Sequence, residues 1–152
     1  MSAAKGAREI LTGGAPVPAG HYAQAIVSGG HVYISGQLPI RPDGLPLPDK
    51  GFEAQAAQAI ANMLAILEAA GGRPRDLLKV TAYIVGVAHW PRFNAVYAAL
   101  LPDARPARTV VPVPELHYGY LVEVDAIALL GGAGAEGVST PLRRATVEGE
   151  TS

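Results

Sequence analysis

The chain has 152 residues, enough for one globular domain with a buried core and too few for two ordinary ones. Twelve basic residues stand against 13 acidic ones, a net charge of −1 with no Lys/Arg cluster, which excludes the electrostatic footprint of a dedicated nucleic-acid binder. The absence of cysteine excludes disulfides, thiol nucleophiles and thiolate metal sites, and no apolar run approaches the length that spans a bilayer, so a soluble cytoplasmic protein is expected. Hydrophobic residues make up 49% of the chain and charged ones 16%, so oligomerisation is expected to cover surplus apolar surface.

Residues 1–20 are rich in small residues, Gly and Pro, and read as an arm leading into the first strand. Tyr22 to Val27 and His31 to Ser35 flank Ser28-Gly29-Gly30, a link whose glycines supply positive φ for a hairpin. Leu38 to Lys50 holds four prolines and Asp43-Gly44, which is loop chemistry. From Phe52 to Ala70 the positions Phe52, Ala56, Ala59, Ile60, Met63, Leu67 and Ala70 recur every three or four residues, and Gly71-Gly72 supplies a stop: a long helix.

Lys79 to Val87 alternates, with Val80, Ala82 and Ile84 on one face, and reads as a central strand. Pro91 starts a short helix with Phe93, Val96, Tyr97 and Leu100 on its apolar side, and the Trp90, Phe93 and Tyr97 set reads as helix packing. Arg108 to Val113 and Leu121 to Leu130 follow as strands, Pro112 suiting an edge or bulge and the second run reading as buried on both sides. The order β-β-α-β-α-β-β implies an α+β architecture, two helices on one face of a mixed sheet and a partner subunit on the other.

Two charged residues lie in the last two apolar runs: Arg108 in Pro106-Ala-Arg-Thr-Val-Val-Pro-Val113 and Glu123 in Leu121-Val-Glu-Val-Asp-Ala-Ile-Ala-Leu-Leu130. Burying an unpaired charge costs on the order of several kcal/mol, so each needs a reason. A guanidinium fork grips a carboxylate bidentately and a nearby carboxylate orients a water, which points to a small site for an anionic substrate. A structural ion pair at a subunit interface is the plain alternative.

Gly20-His-Tyr-Ala-Gln-Ala25, Tyr33-Ile-Ser-Gly-Gln37, Asn94-Ala-Val-Tyr97, Pro106-Ala-Arg-Thr109 and Leu121-Val-Glu-Val-Asp-Ala-Ile-Ala128 resemble, in that order, the signature segments of the RidA (YjgF-type) family, also labelled endoribonuclease L-PSP. The resemblance implies a chorismate-mutase-like fold and a homotrimer with active sites in the clefts between subunits. It implies hydrolysis of reactive enamines and imines of the 2-aminoacrylate type to 2-keto acids and ammonia, with no metal or organic cofactor. It further implies that Arg108 holds the substrate carboxylate and Glu123 partners the attacking water, while Tyr22, Ser35, Gly36 and Asn94 line or support the pocket and Thr109 turns its hydroxyl or its backbone to the ligand. On this reading residues 1–130 form one RidA-like domain with an N-terminal arm, and 131–152 form a C-terminal tail.

His21 and His117 stand where relatives commonly carry Pro, and Ala23 where many carry Ser. Both histidines are therefore candidate specificity residues, against the bland reading of solvated loop side chains; a larger or dicarboxylic substrate, such as an aminomuconate-like acid, would follow. A sensor that binds a 2-keto acid without turnover would use the same cleft. Asp125 shares a strand face with Glu123 and is expected to be structural. Ser35 lacks the glycine two residues before it that a nucleophile elbow needs, the histidines at 21, 31, 89 and 117 lack metal-ligand spacing, and the glycine pairs are turns rather than phosphate cradles.

Overall fold

The computed structural model describes residues 6–131. Strands β1 (Ala7–Ile10), β2 (Ala25–Ser28), β3 (His31–Gln37), β4 (Leu77–Val85), β5 (Ala107–Val113) and β6 (Val122–Leu129) form one mixed sheet in the order β1-β2-β3-β6-β4-β5. Only β4 and β5 run parallel. Helices α1 (Phe52–Ala69) and α2 (Trp90–Leu100) pack against each other and α1 against β3 and β6, covering one face. This is the expected chorismate-mutase-like α+β fold. The tail assigned to 131–152 lies outside the described residues apart from Gly131.

The order gains one strand, because part of the supposed arm pairs with β2 from Ala7↔Ser28 to Ile10↔Ala25. Ala, Arg and Glu have weak strand preference, and only Ile10 of the four is buried, so the pairing is a backbone matter with almost no side-chain signature. Its exposed Arg8 and Glu9 suit a short edge strand, where charge discourages pairing with other chains. The β2–β3 turn is tighter than expected: Ser28 pairs with His31, and Gly29 and Gly30 both take positive φ, as a two-residue hairpin of this kind demands.

Helix α1 forms where its apolar spacing predicts, and Phe52, Ala56, Ala59, Ile60, Met63, Ile66 and Leu67 are fully or almost fully buried. Each large side chain so buried contributes about 1.5–3 kcal/mol. The helix stops because Gly71 adopts positive φ, its N–H donating to Glu68 O while Gly72 N–H donates to Leu67 O, a Schellman ending. Strand β6 corrects the expectation of burial on both sides: Val122, Val124, Ala126 and Ala128 are buried under the helices, whereas Glu123, Asp125 and Ile127 are partly open and Leu129 is exposed. The uncovered face is mixed rather than apolar, since Lys79 Nζ donates to Thr109 Oγ1 and Tyr83 OH to Asp125 Oδ2 among its hydrophobic neighbours.

Two polar side chains in the α1 core were unmarked by the helical pattern. Gln55 accepts the Leu121 N–H just before β6, and Asn62, wholly buried, donates to Leu38 O at 3.1 Å and Ile40 O at 2.8 Å while accepting from Gln58. Asn62 thereby fixes the loop after β3 to the helix. Asn62→Ala should cost about 1–3 kcal/mol by leaving the Ile40 carbonyl unpaired and Leu38 O with the Ile40 N–H alone, read as a lowered urea midpoint at unchanged slope; an unmoved midpoint would show that the loop is anchored elsewhere.

Candidate active site

The register decides where the site residues point. Arg108 pairs with Val80, which pairs with Ala126, which pairs with Ile34, and these three neighbours are all buried on the helix side. Glu123 pairs with Tyr83 and is three residues from Ala126, so by the two-residue alternation it lies on the opposite face. Arg108 and Glu123 therefore do not meet within one chain, and neither belongs to any of the ion pairs among the described residues.

Arg108 is held at the edge of the sheet by α2. Its Nη1 donates to Asn94 Oδ1 at 3.0 Å, and its guanidinium carbon lies 4.8 Å from the Tyr97 ring centre, 5.8 Å from Trp90 and 6.0 Å from Phe93. The aromatic set read as plain helix packing is thus also a cage for this cation. The cage leaves the rest of the planar donor fork without a protein partner among the described residues. Burial pushes the Tyr97 hydroxyl above its ordinary pKa, against the opposing charge of Arg108, and that hydroxyl has no hydrogen-bond partner among the described residues.

Glu123 sits in a cavity of about 470 Å³ on the other face, with Tyr22, Ser35, Gly36, His117 and Tyr118 among its walls. A bulge in β3 makes room for it. Between Ile34↔Ala126 and Gln37↔Val124 the strand carries one extra residue, and a Cβ built on Gly36 would collide with Glu123 Oε1. Burial raises the Glu123 pKa; nearby His117 opposes the rise and Asp125 adds to it.

Ser35 supports this wall rather than attacking from it, its Oγ donating to Ala23 O at 2.6 Å and its N–H to Gln24 O. Tyr22 OH accepts the Ala19 N–H at 3.3 Å, folding the preceding loop over the cavity mouth. His117 lines the cavity, whereas His21 is exposed and does not. Thr109 alternates with Arg108 to the opposite face of the sheet, where its Oγ1 accepts from Lys79 Nζ. Asp125 carries the structural bond from Tyr83. Among the described residues no three His, Cys, Asp or Glu side chains gather as a metal site requires.

Two contributors had no clear signal in the chain. Gln24, 1% exposed, shares its amide protons among Thr12 O, Ala15 O and Pro16 O and accepts the Thr12 N–H at 2.7 Å, which ties the arm into the cavity wall. Tyr118 takes a left-handed φ of 60°, the one non-glycine residue to do so among the described residues. The aromatic run His117-Tyr-Gly-Tyr120 before the last strand was the available hint.

Residues 12–130 match the family described as Endoribonuclease L-PSP. The chain belongs to the endoribonuclease L-PSP (RidA/YjgF) family. A RutC family protein of Pyrococcus horikoshii is 40% identical over 119 residues, covering 78% of this chain and 94% of the relative. A 2-iminobutanoate/2-iminopropanoate deaminase of Dermatophagoides farinae is 34% identical over 123 residues, covering 81% and 96%. The crystal structure of E. coli TdcF with bound serine superposes with a TM-score of 0.78 at 31% identity, covering 82% of this chain and 99% of that one. Within this L-PSP family member, Gly36→Ala should drive the Glu123 carboxyl out of its niche and return its pKa towards the ordinary 4.5, followed by NMR titration; an unchanged value would show that Gly36 does not shape the niche.

Proposed function

We propose that the protein hydrolyses 2-imino acids, and 2-enamine acids after tautomerisation, to 2-keto acids and ammonia, at a site where Arg108 of one copy faces Glu123 of another in a homotrimer. The observation that carries this is the half-buried Glu123 at the bulge, a carboxyl whose raised pKa suits proton exchange nearer neutrality than an exposed glutamate. The deaminase named among the relatives and the amino acid bound in the TdcF structure support the same class of ligand.

The chemistry follows from the two halves. The caged Arg108 grips the substrate carboxylate through its free donors, with Asn94 holding its orientation. Ionised Glu123 takes a proton from water as the oxygen attacks the electrophilic imine carbon and delivers it to the nitrogen, giving a neutral carbinolamine. Glu123 then takes the C–OH proton and passes it to the nitrogen as the C–N bond breaks, so that ammonia leaves and the keto group forms. Tyr22, Ser35 and Gly36 shape the pocket around that exchange.

The facial separation of Arg108 and Glu123 within one chain favours the shared site, because a cyclic trimer brings different surfaces of neighbouring copies together. The exposed hydrophobic side chains further along the face that carries Glu123, including Tyr33 and Leu129 at 48% and 42% exposure, would be covered there.

Arg108→Ala and Glu123→Gln should each lower kcat/KM for 2-iminopropanoate by about 10²–10⁴-fold while the protein stays folded, checked by coupled keto-acid assay and circular dichroism. Refolding the two variants together should restore about a quarter of the wild-type activity, since one interface combination in four joins an intact Arg108 to an intact Glu123. No recovery would refute the shared site. Activity should rise with pH through the Glu123 pKa, because the base must be ionised, and that limb should lie above the ordinary glutamate value and vanish in Glu123→Gln. Keto-acid binding without turnover by the wild-type protein would make it a sensor instead.

A further inference from the structure

A second cavity, of about 490 Å³, adjoins the one that holds Glu123. Ile40 and Tyr118 line both, so the two spaces are separated by these side chains. The partition has one fixed half and one free half. Ile40 is anchored because its carbonyl accepts from the wholly buried Asn62, whereas Tyr118 is 74% exposed, itself takes the left-handed φ and makes no side-chain hydrogen bond among the described residues. Its ring meets Tyr120 edge-on at 6.2 Å, presenting an aromatic corner to the second cavity.

The lining of that cavity mixes apolar side chains with polar surface. Leu45, Pro46, Leu47 and Leu121 line it, Gln55 is committed to Lys50 O and the Leu121 N–H, and Lys50 is its one charged lining residue. A three-carbon imino acid at Glu123 would leave all this space empty. Each cavity alone is within the size range of small-ligand sites, about 300–1,000 Å³, and together they could hold a much longer molecule end to end.

We infer that the second cavity is a side-chain subsite, reached past Tyr118, that takes the aromatic or large aliphatic group of a 2-imino acid whose reacting carbon lies at Glu123. The inference rests on the deaminase reading for the identity of the reacting end. A phenyl or isobutyl group entering there exchanges water for Leu45, Pro46, Leu121 and the Tyr118–Tyr120 corner, and its desolvation favours it over a methyl group. Tyr118 sets the selection by standing between the spaces.

Calorimetry with 2-keto acids tests the subsite without needing turnover. Phenylpyruvate should bind about tenfold or more tightly than pyruvate to the wild-type protein, and Leu45→Trp or Leu45→Asp should reduce that preference to about threefold or less. Leu45 is 58% exposed in a loop, so its replacement does not disturb the core, and Asp serves where the indole turns outward. Equal affinities, a preference that survives both Leu45 substitutions, or binding to neither acid would overturn the inference. Tighter binding of 2-oxoglutarate than of phenylpyruvate would overturn it too, assigning the space to a distal carboxylate beside Lys50. An aromatic preference in a protein that turns over no imine sinks only the deaminase reading, and turnover of small imines with no such preference sinks only the subsite.

Discussion

Side chains on a strand alternate between two faces, and this single geometric rule governs what the sheet can do. It sends Arg108 to the helix side with Val80 and Ala126, and Glu123 to the open side with Tyr83. Neither charge neutralises the other, so each is accommodated by its own surroundings. Three aromatic rings and the Asn94 amide take in the guanidinium. The carboxyl instead occupies the space a glycine and a strand bulge leave open. Both groups stay partly exposed, which avoids the full penalty of burying an ion and keeps each reachable by a ligand.

The same rule separates stability from function across the sheet. The helix side is a continuous core of valine, isoleucine, alanine and the α1 stripe, whose buried Gln55 and Asn62 have their hydrogen bonds met while the Tyr97 hydroxyl has no partner among the described residues. The open side carries the irregular features: the bulge at Ser35-Gly36, the arm pinned by Gln24 and the left-handed turn at Tyr118. Backbone irregularity is tolerated there because the regular ladder on either side over-determines it. Ser35 is an instance, its hydroxyl spent on Ala23 O to hold the bulge rather than on chemistry.

Strong periodicity was legible and weak periodicity was not. The helix from Phe52, the strand through Val80, Ala82 and Ile84, and the helix begun at Pro91 all follow from repeating apolar positions. Ala7–Ile10 escaped notice because an edge strand with one buried residue leaves little pattern. Of the candidate site residues, Tyr22, Ser35, Gly36, Glu123 and His117 gather around one cavity and Arg108 with Asn94 forms a second cluster, while His21 and the Thr109 side chain join neither. Loop residues such as His21 have no period to fix their direction, and Thr109 is directed away by the alternation that directs Arg108 inward.

Local order along the chain is enough to determine the family, the types of charged group available and all the elements but the first edge strand, because helix and strand periods, turn glycines and motif spacing are all written in neighbouring residues. It placed Arg108 and Glu123 in apolar strands and so marked them as groups with a task. Tertiary structure alone decided that they stand on opposite faces, that Gln24 and Asn62 tie arm and loop around a cavity, and that Tyr118 divides that cavity from a second one. Those outcomes depend on register, on one extra residue in a bulge and on hydrogen bonds spanning up to 24 positions, none of which a local pattern encodes.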